Sequence, residues 1–287
     1  MVLPHTIRPG DGQYPGPLAA IRDRPASLRV RGALRAEARR AAIVGSRELD
    51  EYGEDLARSI AAGLARAGVS VVSGGARGVD AAAHRGALEV GGHTVAVLGT
   101  GVDVCYPADH RSLFERILDS GGALVSEQPD GTPGRKGNFP SRNRIIAGLS
   151  EVVVVVRAGA KSGALITASW ARAQGRPVLA VPGDARDPLS AGPHALLRAG
   201  AGLVATAADV LAAMGLAEVR AQQALPALSC EGEQLLGALG RRPRHADEVA
   251  RAAGLGMGAA LAGLLALELE GLCEQRPGHY FLRREGI

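Results

Sequence analysis

From Arg39 to about residue 214, short apolar runs rich in β-branched residues alternate with alanine-rich stretches of helical periodicity. The runs that we predict as strands are 41–44, 69–73, 93–98, 123–126, 151–156, 177–181 and 202–205. The stretches that we predict as helices are 52–67, 78–90, 108–120, 141–149, 162–174, 192–199 and 207–214. Nearly continuous apolar strands that alternate with helices are typical of a parallel sheet covered on both faces. We therefore predict an α/β fold with a Rossmann-like, doubly wound, mainly parallel sheet.

The chain of 287 residues divides into segments of different composition. Residues 1–38 form a proline-rich, irregular N-terminal extension, in which 28–32 alternates like a short edge strand. After the Rossmann-like domain (39–214) comes a linker (215–228). The last segment, 229–287, has helical patterns at 231–239, 246–253 and 258–270, followed by a two-stranded ribbon. This order predicts a small winged helix-turn-helix domain.

The composition, 46% hydrophobic and 22% charged, is that of a globular protein. The longest purely apolar runs are a few residues, so we predict no membrane span. The N-terminus lacks a basic segment followed by a long apolar one, and the three cysteines lie far apart. We therefore expect a cytoplasmic protein without disulfides.

All but two of the 33 basic residues are arginine, the exceptions being Lys136 and Lys161. One interpretation is phosphate recognition, because the guanidinium fork matches phosphate oxygens. The other is a GC-rich coding bias. The net charge of +4 permits a nucleic-acid partner without requiring one, so the positions of the basic residues must decide.

Several predicted strands are followed by glycine-rich loops that carry basic residues. Ligands of doubly wound folds bind outside the carboxyl ends of the strands, and helix N-termini attract anions. The residues that we assign to a phosphate-binding edge are Gly45, Ser46 and Arg47 after the first strand, Gly74, Gly75 and Arg77 after the second, and Lys161, Ser162, Gly163 and Thr167 after the fifth. Tight turning alone remains the alternative explanation of the glycines.

A further candidate is the segment 139–144, where Ser141 could cap a helix whose first turn carries Arg142, Asn143 and Arg144. Because the two arginines do not share a helix face, we expect one at the phosphate-binding edge and the other paired internally, with Glu127 as a candidate partner. Phe139 could stack a base or fill the core.

Standard catalytic and nucleotide motifs are absent from the sequence. The segment Gly99–Val104 lacks the third glycine of a dinucleotide-binding loop, and Gly159–Ser162 lacks the ending of a P-loop. Asp80 and His84 share a helix face and could form an acid/base or metal pair, although a cap and a packed histidine are more common. We predict a non-enzymatic protein with no cofactor and no metal.

Seven segments together resemble the DNA-processing protein A (DprA/Smf) family. They are IVGSR (43–47), SGGARGVDAAAH (73–84), LGTGVDVCYP (98–107), SEQP (126–129), FPSRNRIIAGLS (139–150), SGALITA (162–168) and VPG (181–183). The resemblance implies an extended Rossmann domain that binds single-stranded DNA and forms a homodimer. It further implies that the protein protects incoming DNA and loads a RecA-type recombinase during natural transformation or recombination.

The resemblance also implies which residues line the basic DNA pocket: Arg47, Phe139, Arg142, Asn143, Arg144, Ser162, Gly163 and Thr167. Three positions depart from the family pattern. Arg157 stands where the family usually has Glu, His194 where an Asn is usual, and Gly75 replaces a commoner Leu. At the edge, Arg157 could strengthen phosphate contacts or disrupt a local salt bridge.

The leading hypothesis is a protein that captures about five phosphates of single-stranded DNA, for which log K falls with log salt at a slope of about −3.5. The alternative is a nucleotide phosphoribohydrolase like those of the LOG family, but the helix predicted at 162–174 has no carboxylate to serve as the catalyst. Residues 229–287 carry seven arginines against eight carboxylates, and 258–270 has no basic residue. We therefore expect the winged helix to have a protein-contact or regulatory role rather than to read duplex DNA.

Overall fold

The computed structural model describes residues 3–216, 229–240 and 242–284. The chain forms two compact units, residues 1–218 and 219–287. The boundary between them falls inside the predicted linker 215–228, which lies outside the described residues from 217 onward.

A nine-stranded sheet forms the centre of the first unit. Its strands are β1 (His5–Ile7), β2 (Leu28–Gly32), β3 (Arg40–Val44), β4 (Ser70–Ser73), β5 (Thr94–Leu98), β6 (Ala123–Ser126), β7 (Val152–Val155), β8 (Val178–Ala180) and β9 (Gly202–Leu203). They lie in the order β1-β2-β6-β5-β4-β3-β7-β8-β9. All neighbours are parallel except the pairs β1–β2 and β2–β6. The predicted mainly parallel, doubly wound sheet is thus confirmed.

Helices cover both faces of this sheet. They are α1 (Gly16–Ala19), α2 (Glu51–Arg66), α3 (Val79–Glu89), α4 (Arg111–Asp119), α5 (Asn138–Leu149), α6 (Ala164–Ala173), α7 (Ala191–Arg198) and α8 (Ala207–Ala213). Successive residues of β3 point to opposite faces: Ala41 and Ile43 pack with α2, α3 and α8, whereas Ala42 and Val44 pack with α1, α5, α6 and α7. Burial on both faces explains why the strands read as continuous apolar runs.

The N-terminal segment departs from the prediction of an irregular extension. Both β1 and β2 extend the sheet, and Leu28 and Val30 of β2 are fully buried. Nor is β2 an edge strand, because it pairs with β1 on one side and β6 on the other. The alternating pattern indicated a strand, but its position in the sheet depends on pairing with the distant residues 123–126.

The start of α5 also differs from the prediction that Ser141 caps this helix. The helix begins at Asn138, with Gly137 at its N-cap and no side-chain cap there. The Ser141 hydroxyl instead donates to the carbonyl oxygens of Gly137 and Asn138, at 3.3 and 3.0 Å. As a result Phe139 lies in the first turn of the helix, beside the carboxyl ends of the strands.

The second unit has the winged-helix fold. Its elements are α9 (Cys230–Ala238), β10 (Arg244–His245), α10 (Ala246–Ala253), α11 (Met257–Leu269), β11 (Cys273–Arg276) and β12 (Tyr280–Arg283). The predicted ribbon is β11–β12, to which β10 adds a third strand. Among the described residues no single helix is long and apolar enough to cross a membrane; α10 and α11 pass such a test only as a pair, bent by 105°.

Candidate functional site

A cleft of about 820 Å³ opens at the carboxyl ends of the parallel strands. It lies at the topological switch point of the sheet, between β3 and β7. From β3 the chain continues to its neighbour β4 on one side, and β7 is the neighbour of β3 on the other side. The loops after β3 and β7 and the first turns of α5 and α6 line it. Ten of the fourteen residues predicted for the binding site lie along its walls: Gly45, Ser46, Arg47, Phe139, Arg142, Asn143, Lys161, Ser162, Gly163 and Thr167.

The other four predicted residues lie elsewhere. Gly74 and Arg77 line a crevice of about 60 Å³ that shares a wall with the cleft. Gly75 and Arg144 line neither cavity. The second glycine-rich loop therefore borders the cleft rather than forming it.

Close contact between two loops fixes the backbone around Arg47. Gly78 has a φ of +74°, and a Cβ atom there would collide with the carbonyl oxygen of Ser46. The Val79 N–H donates to this oxygen at 3.1 Å, and the Ser46 N–H donates to the Arg157 carbonyl at 2.6 Å. Only glycine at position 78 allows this approach without strain, so the loop is held from both sides.

The cleft has an excess of positive charge. Arg47, Lys136 and Lys161 are exposed, and within the described ranges none has a carboxylate oxygen within 4.0 Å. The acidic residues on its walls are Glu48 and Asp80. The N-terminal end of α6, with no acidic residue in its first turn, adds partial positive charge. This arrangement suits a polyanion.

Arg142 reaches the cleft, but its guanidinium is turned inward, which corrects the expectation of a phosphate-facing side chain. The residue is 8% exposed, and it donates to the carbonyl oxygens of Gly74 (2.7 Å) and Val97. Burial lowers its pKa to about 10, so it stays protonated at neutral pH. Arg142 therefore ties α5 to the ends of β4 and β5.

Of the two arginines, Arg144 is the one that pairs internally with the candidate partner Glu127. Its guanidinium contacts a Glu127 carboxylate oxygen at 2.6 Å and the Asp23 carbonyl oxygen at 2.9 Å. These contacts anchor α5 to the loop after β6 and to the N-terminal segment. With both arginines of the helix engaged, the charge of the cleft rests on Arg47, Lys136 and Lys161.

An aromatic pair separates the cleft from the crevice. The rings of Tyr106 and Phe139 lie 5.3 Å apart between centroids at 36°. The Arg47 guanidinium lies over the Phe139 ring, 5.8 Å from its centroid. Phe139 is partly exposed, so it is not the fully buried core residue that the sequence left open as an alternative.

Asp80 and His84 on α3 are structural. Asp80 accepts the N–H groups of Gly74 (3.1 Å) and Ala76 (3.3 Å), and its pKa is raised by burial. His84 Nδ1 lies 2.7 Å from the Thr94 hydroxyl, and burial lowers its pKa to about 3. Asp80 thus braces the second loop through its backbone N–H groups, and His84 is a packed histidine bonded to β5.

Arg157 does not extend into the cleft, contrary to the expectation of added charge at the sheet edge. It is 3% exposed, and its guanidinium contacts the carboxylates of Asp50 (2.6 Å) and Asp187 and the Ser190 hydroxyl (2.8 Å). Asp50 caps α2, so Arg157 connects the start of that helix to the loop after β8. His194, the second of the three departures, places Nε2 3.1 Å from the Gly183 carbonyl oxygen of that loop.

Replacing Arg157 with glutamate is expected to destabilise the first unit by about 2–4 kcal/mol, since it sets three carboxylates together. Arg157→Met removes the charge without adding repulsion and should cost less. Chemical denaturation monitored by circular dichroism measures both. Equal stability of the wild type and Arg157→Glu would contradict the role given to this ion-pair cluster.

Sequence reasoning missed two residues of the site. Lys136 lines the cleft from the loop before α5, and Tyr106 supplies the exposed ring of the aromatic pair. Signals for both were present: Lys136 is one of two lysines in the chain, and Tyr106 follows β5 at the edge where ligands bind. What the sequence did not show is that the loop after β5, which carries Tyr106, and the loop before α5, which carries Lys136, lie against the same cleft.

Each of the two units matches the sequence profile of a known protein family. Residues 5–215 match the sequence profile of the family described as DNA recombination-mediator protein A. Residues 219–279 match the profile described as the DprA winged helix domain. Together the two profiles span most of the chain.

Individual relatives agree with the profiles. A curated relative from Mycobacterium tuberculosis is 47% identical over 255 residues, covering 86% of this chain, which spans about 65% of that relative's length. Protein Smf of Escherichia coli K12 is 41% identical over 297 residues, covering 98% of this chain and 78% of its own.

Two solved structures share the fold. DNA processing protein A (DprA) from Streptococcus pneumoniae has a TM-score of 0.69 at 41% identity and covers 72% of this chain and 73% of its own. DNA processing protein A from Helicobacter pylori, solved to study its single-stranded DNA binding mode, has a TM-score of 0.66 at 27% identity. It covers 74% of this chain and 96% of its own.

Proposed function

Because this chain belongs to the DNA recombination-mediator protein A family, we propose that its α/β unit binds single-stranded DNA in the cleft at the carboxyl ends of the strands. The observation that carries the proposal is the combination of cations and aromatic rings in one cleft. Arg47 lies over Phe139, and Lys136 and Lys161 line the same cavity. Proteins that bind single strands combine cations that contact the phosphate backbone with aromatic rings on which the bases stack.

The phosphates would be held by Arg47, Lys136 and Lys161 together with the N-terminal end of α6. Arg142 and Arg144 support the cleft by internal contacts instead. A duplex keeps its bases paired and stacked, so it offers no free face to an aromatic ring. We therefore propose a preference for single strands over duplex.

Salt dependence tests the proposal. Three neutralised phosphates predict that log K falls with log salt at a slope of about −2, using roughly −0.7 per contact on single strands. This slope is shallower than the slope of the initial hypothesis because two of its arginines are engaged internally. The measurement is fluorescence anisotropy of a labelled 35-nucleotide thymidine strand and a duplex of equal length across a salt series. Equal affinity for both, or no binding, would overturn the proposal.

We further propose that the bound strand is passed to a RecA-type recombinase during natural transformation or recombination, and that the protein acts as a homodimer. The family's description as a recombination mediator supports the first point. The test is filament assembly by a RecA-type recombinase on a strand covered by single-strand-binding protein, with and without this chain. Sedimentation equilibrium measures the oligomeric state.

This role is binding rather than catalysis. The phosphoribohydrolase alternative is not favoured, since α6 contributes no Asp or Glu to the cleft. In the winged helix, α11 has no Lys or Arg and exposes Leu265 and Leu269. We therefore propose that this domain contacts protein rather than reading duplex DNA.

A further inference from the structure

We propose that the turn 22–24 of the N-terminal segment is a second phosphate-binding site, which holds the backbone of a single strand after the strand has left the cleft. Its ligand is the phosphodiester group alone, without a base. This inference rests on the proposed function, because it needs a strand that already lies in the cleft. It adds the N-terminal segment to the binding surface.

The turn presents two arginines that have no acidic partner. Arg22 and Arg24 are exposed, and among the residues that the structure describes no carboxylate oxygen lies within 4.0 Å of either. The Asp23 carboxylate, although it stands between them in the sequence, pairs with neither. Arg24 has one long contact, from Nη1 to the Ala19 carbonyl oxygen at 3.4 Å. Both guanidinium groups are therefore open to phosphate oxygens.

Buried residues on either side hold the turn in place. Ile21 is 5% exposed, and it packs so closely on Gly148 of α5 that a Cβ atom there would lie 2.8 Å from its side chain. Pro25 is also buried, and its carbonyl oxygen accepts the Tyr14 hydroxyl at 3.1 Å. Burial raises the pKa of Tyr14 to about 12, so the hydroxyl keeps its proton. The turn is thus fixed before a ligand arrives, which lowers the entropic cost of binding.

A single side chain connects the turn to the wall of the cleft. Arg144 donates from Nε to the Asp23 carbonyl oxygen at 2.9 Å and from Nη1 to the Ser141 carbonyl oxygen at 3.0 Å. Ser141 lies in the first turn of α5, next to Pro140, which lines the cleft. A strand that leaves the cleft past the start of α5 therefore meets the turn within a few nucleotides.

The surface between the cleft and the turn favours a polyanion. Lys136 lines the cleft, and Arg135 beside it is exposed. The carboxylates nearby are neutralised, because Glu127 and Asp130 are each paired with an arginine. The phosphates of a strand thus meet positive charge along this route.

The other side of the cleft disfavours the strand. Glu48 and Glu51 are exposed around the start of α2, and within the described ranges neither has a basic group within 4.0 Å. Helix α2 packs on the face of the sheet opposite to α1 and α5. Repulsion on that face and attraction on this one direct the strand toward the N-terminal segment.

The test compares a thymidine strand of six nucleotides, which fills only the cleft, with one of 35 nucleotides. The three phosphates of the cleft should give the short strand a salt slope of about −2, and two further contacts should make the slope of the long strand steeper by about 1.4. The double variant Arg22→Gln/Arg24→Gln should remove this difference. It should weaken the long strand about tenfold at about 0.2 M salt and leave the short strand within about twofold of wild type.

The matched control is Arg66→Gln/Arg116→Gln, which removes the same charge from the last turns of α2 and α4. It should leave the affinity for both strands within about twofold of wild type. A further 35-nucleotide strand keeps bases only in its central six positions. It should bind wild type as tightly as the thymidine strand and lose the same affinity in Arg22→Gln/Arg24→Gln, because the turn contacts phosphates alone.

Four results would overturn the second site and leave the cleft standing: a slope of about −2 for both strands, an unchanged affinity of the double variant for the long strand, equal weakening of the short and long strands, or an equal loss in the control. Weaker binding of the strand with abasic ends would overturn its restriction to phosphates. Failure of wild type to bind either thymidine strand would overturn the proposed function itself. Thermal unfolding of the double variant should match wild type, since both side chains are exposed.

Discussion

Replacing Arg47 with glutamate is expected to weaken binding of a single strand by about 100-fold, the largest loss at any position of the cleft. Arg47 is the cation that joins the two parts of the site, since it lines the cleft and also lies over the Phe139 ring. The substitution removes one phosphate contact and places a carboxylate beside Glu48. The measurement is anisotropy with a labelled thymidine strand at fixed salt.

The matched control is Arg66→Glu, the same charge reversal at the other end of the sheet. Arg66 is the last residue of α2, which starts beside the cleft and runs back along the strands to their amino ends. Arg66→Glu should leave the affinity for the single strand within about twofold of the wild-type value, the change expected from net charge alone. If Arg66→Glu weakened binding as much as Arg47→Glu, the loss would reflect overall charge, and the cleft would have no special part in binding.

The second large effect is on stability. Arg142→Met is expected to destabilise the first unit by about 3–5 kcal/mol, lowering its Tm by roughly 10 °C. The variant leaves the carbonyl oxygens of Gly74 and Val97 without their donor and removes the cation whose charge lowers the pKa of the buried Asp80. Thermal unfolding followed by circular dichroism measures the change.

The stability lost in Arg142→Met should become smaller as the pH falls. Burial already raises the pKa of Asp80 above its ordinary value, and loss of Arg142 raises it further. The folded variant then holds a proton that the unfolded chain releases, so its stability increases as the pH falls toward the unfolded pKa. The deficit should therefore be smaller at pH 5 than at pH 7.5.

The neighbouring variant Arg144→Met controls for the loss of an arginine from α5. Its partner Glu127 is partly exposed, so we expect a cost of about 1 kcal/mol or less. If Arg142→Met lowered the free energy of unfolding by no more than Arg144→Met, or by an amount independent of pH, the structural role assigned to Arg142 would be contradicted.

The sheet could be predicted because each parallel strand is covered on both faces, which leaves a continuous apolar run in the sequence. The antiparallel strands β1 and β2 left no such signal. Their place depends on pairing with β6, and no local pattern records a partner that distant. The winged helix was recoverable because its helices and ribbon are local elements.

For the site, the sequence identified the loops but not the direction of the long side chains. Arg142 and Arg157 both occupy positions at the carboxyl ends of the strands where a cation could contact phosphate, yet both side chains turn inward. In each case acceptors from distant segments decide: carbonyl oxygens of Gly74 and Val97 for Arg142, and the carboxylates of Asp50 and Asp187 for Arg157. Tyr106 was missed for the same reason, since its significance depends on Phe139 from another loop.

The most direct test of the account is photo-cross-linking of the full chain to a single strand containing 4-thiothymidine, with the cross-linked peptides identified by mass spectrometry. If the strand lies in the cleft, cross-links will fall within 44–48, 104–107, 134–144 and 159–167, and Arg47→Glu will remove them. Cross-links confined to the winged-helix unit, or to the amino ends of the strands, would contradict the account.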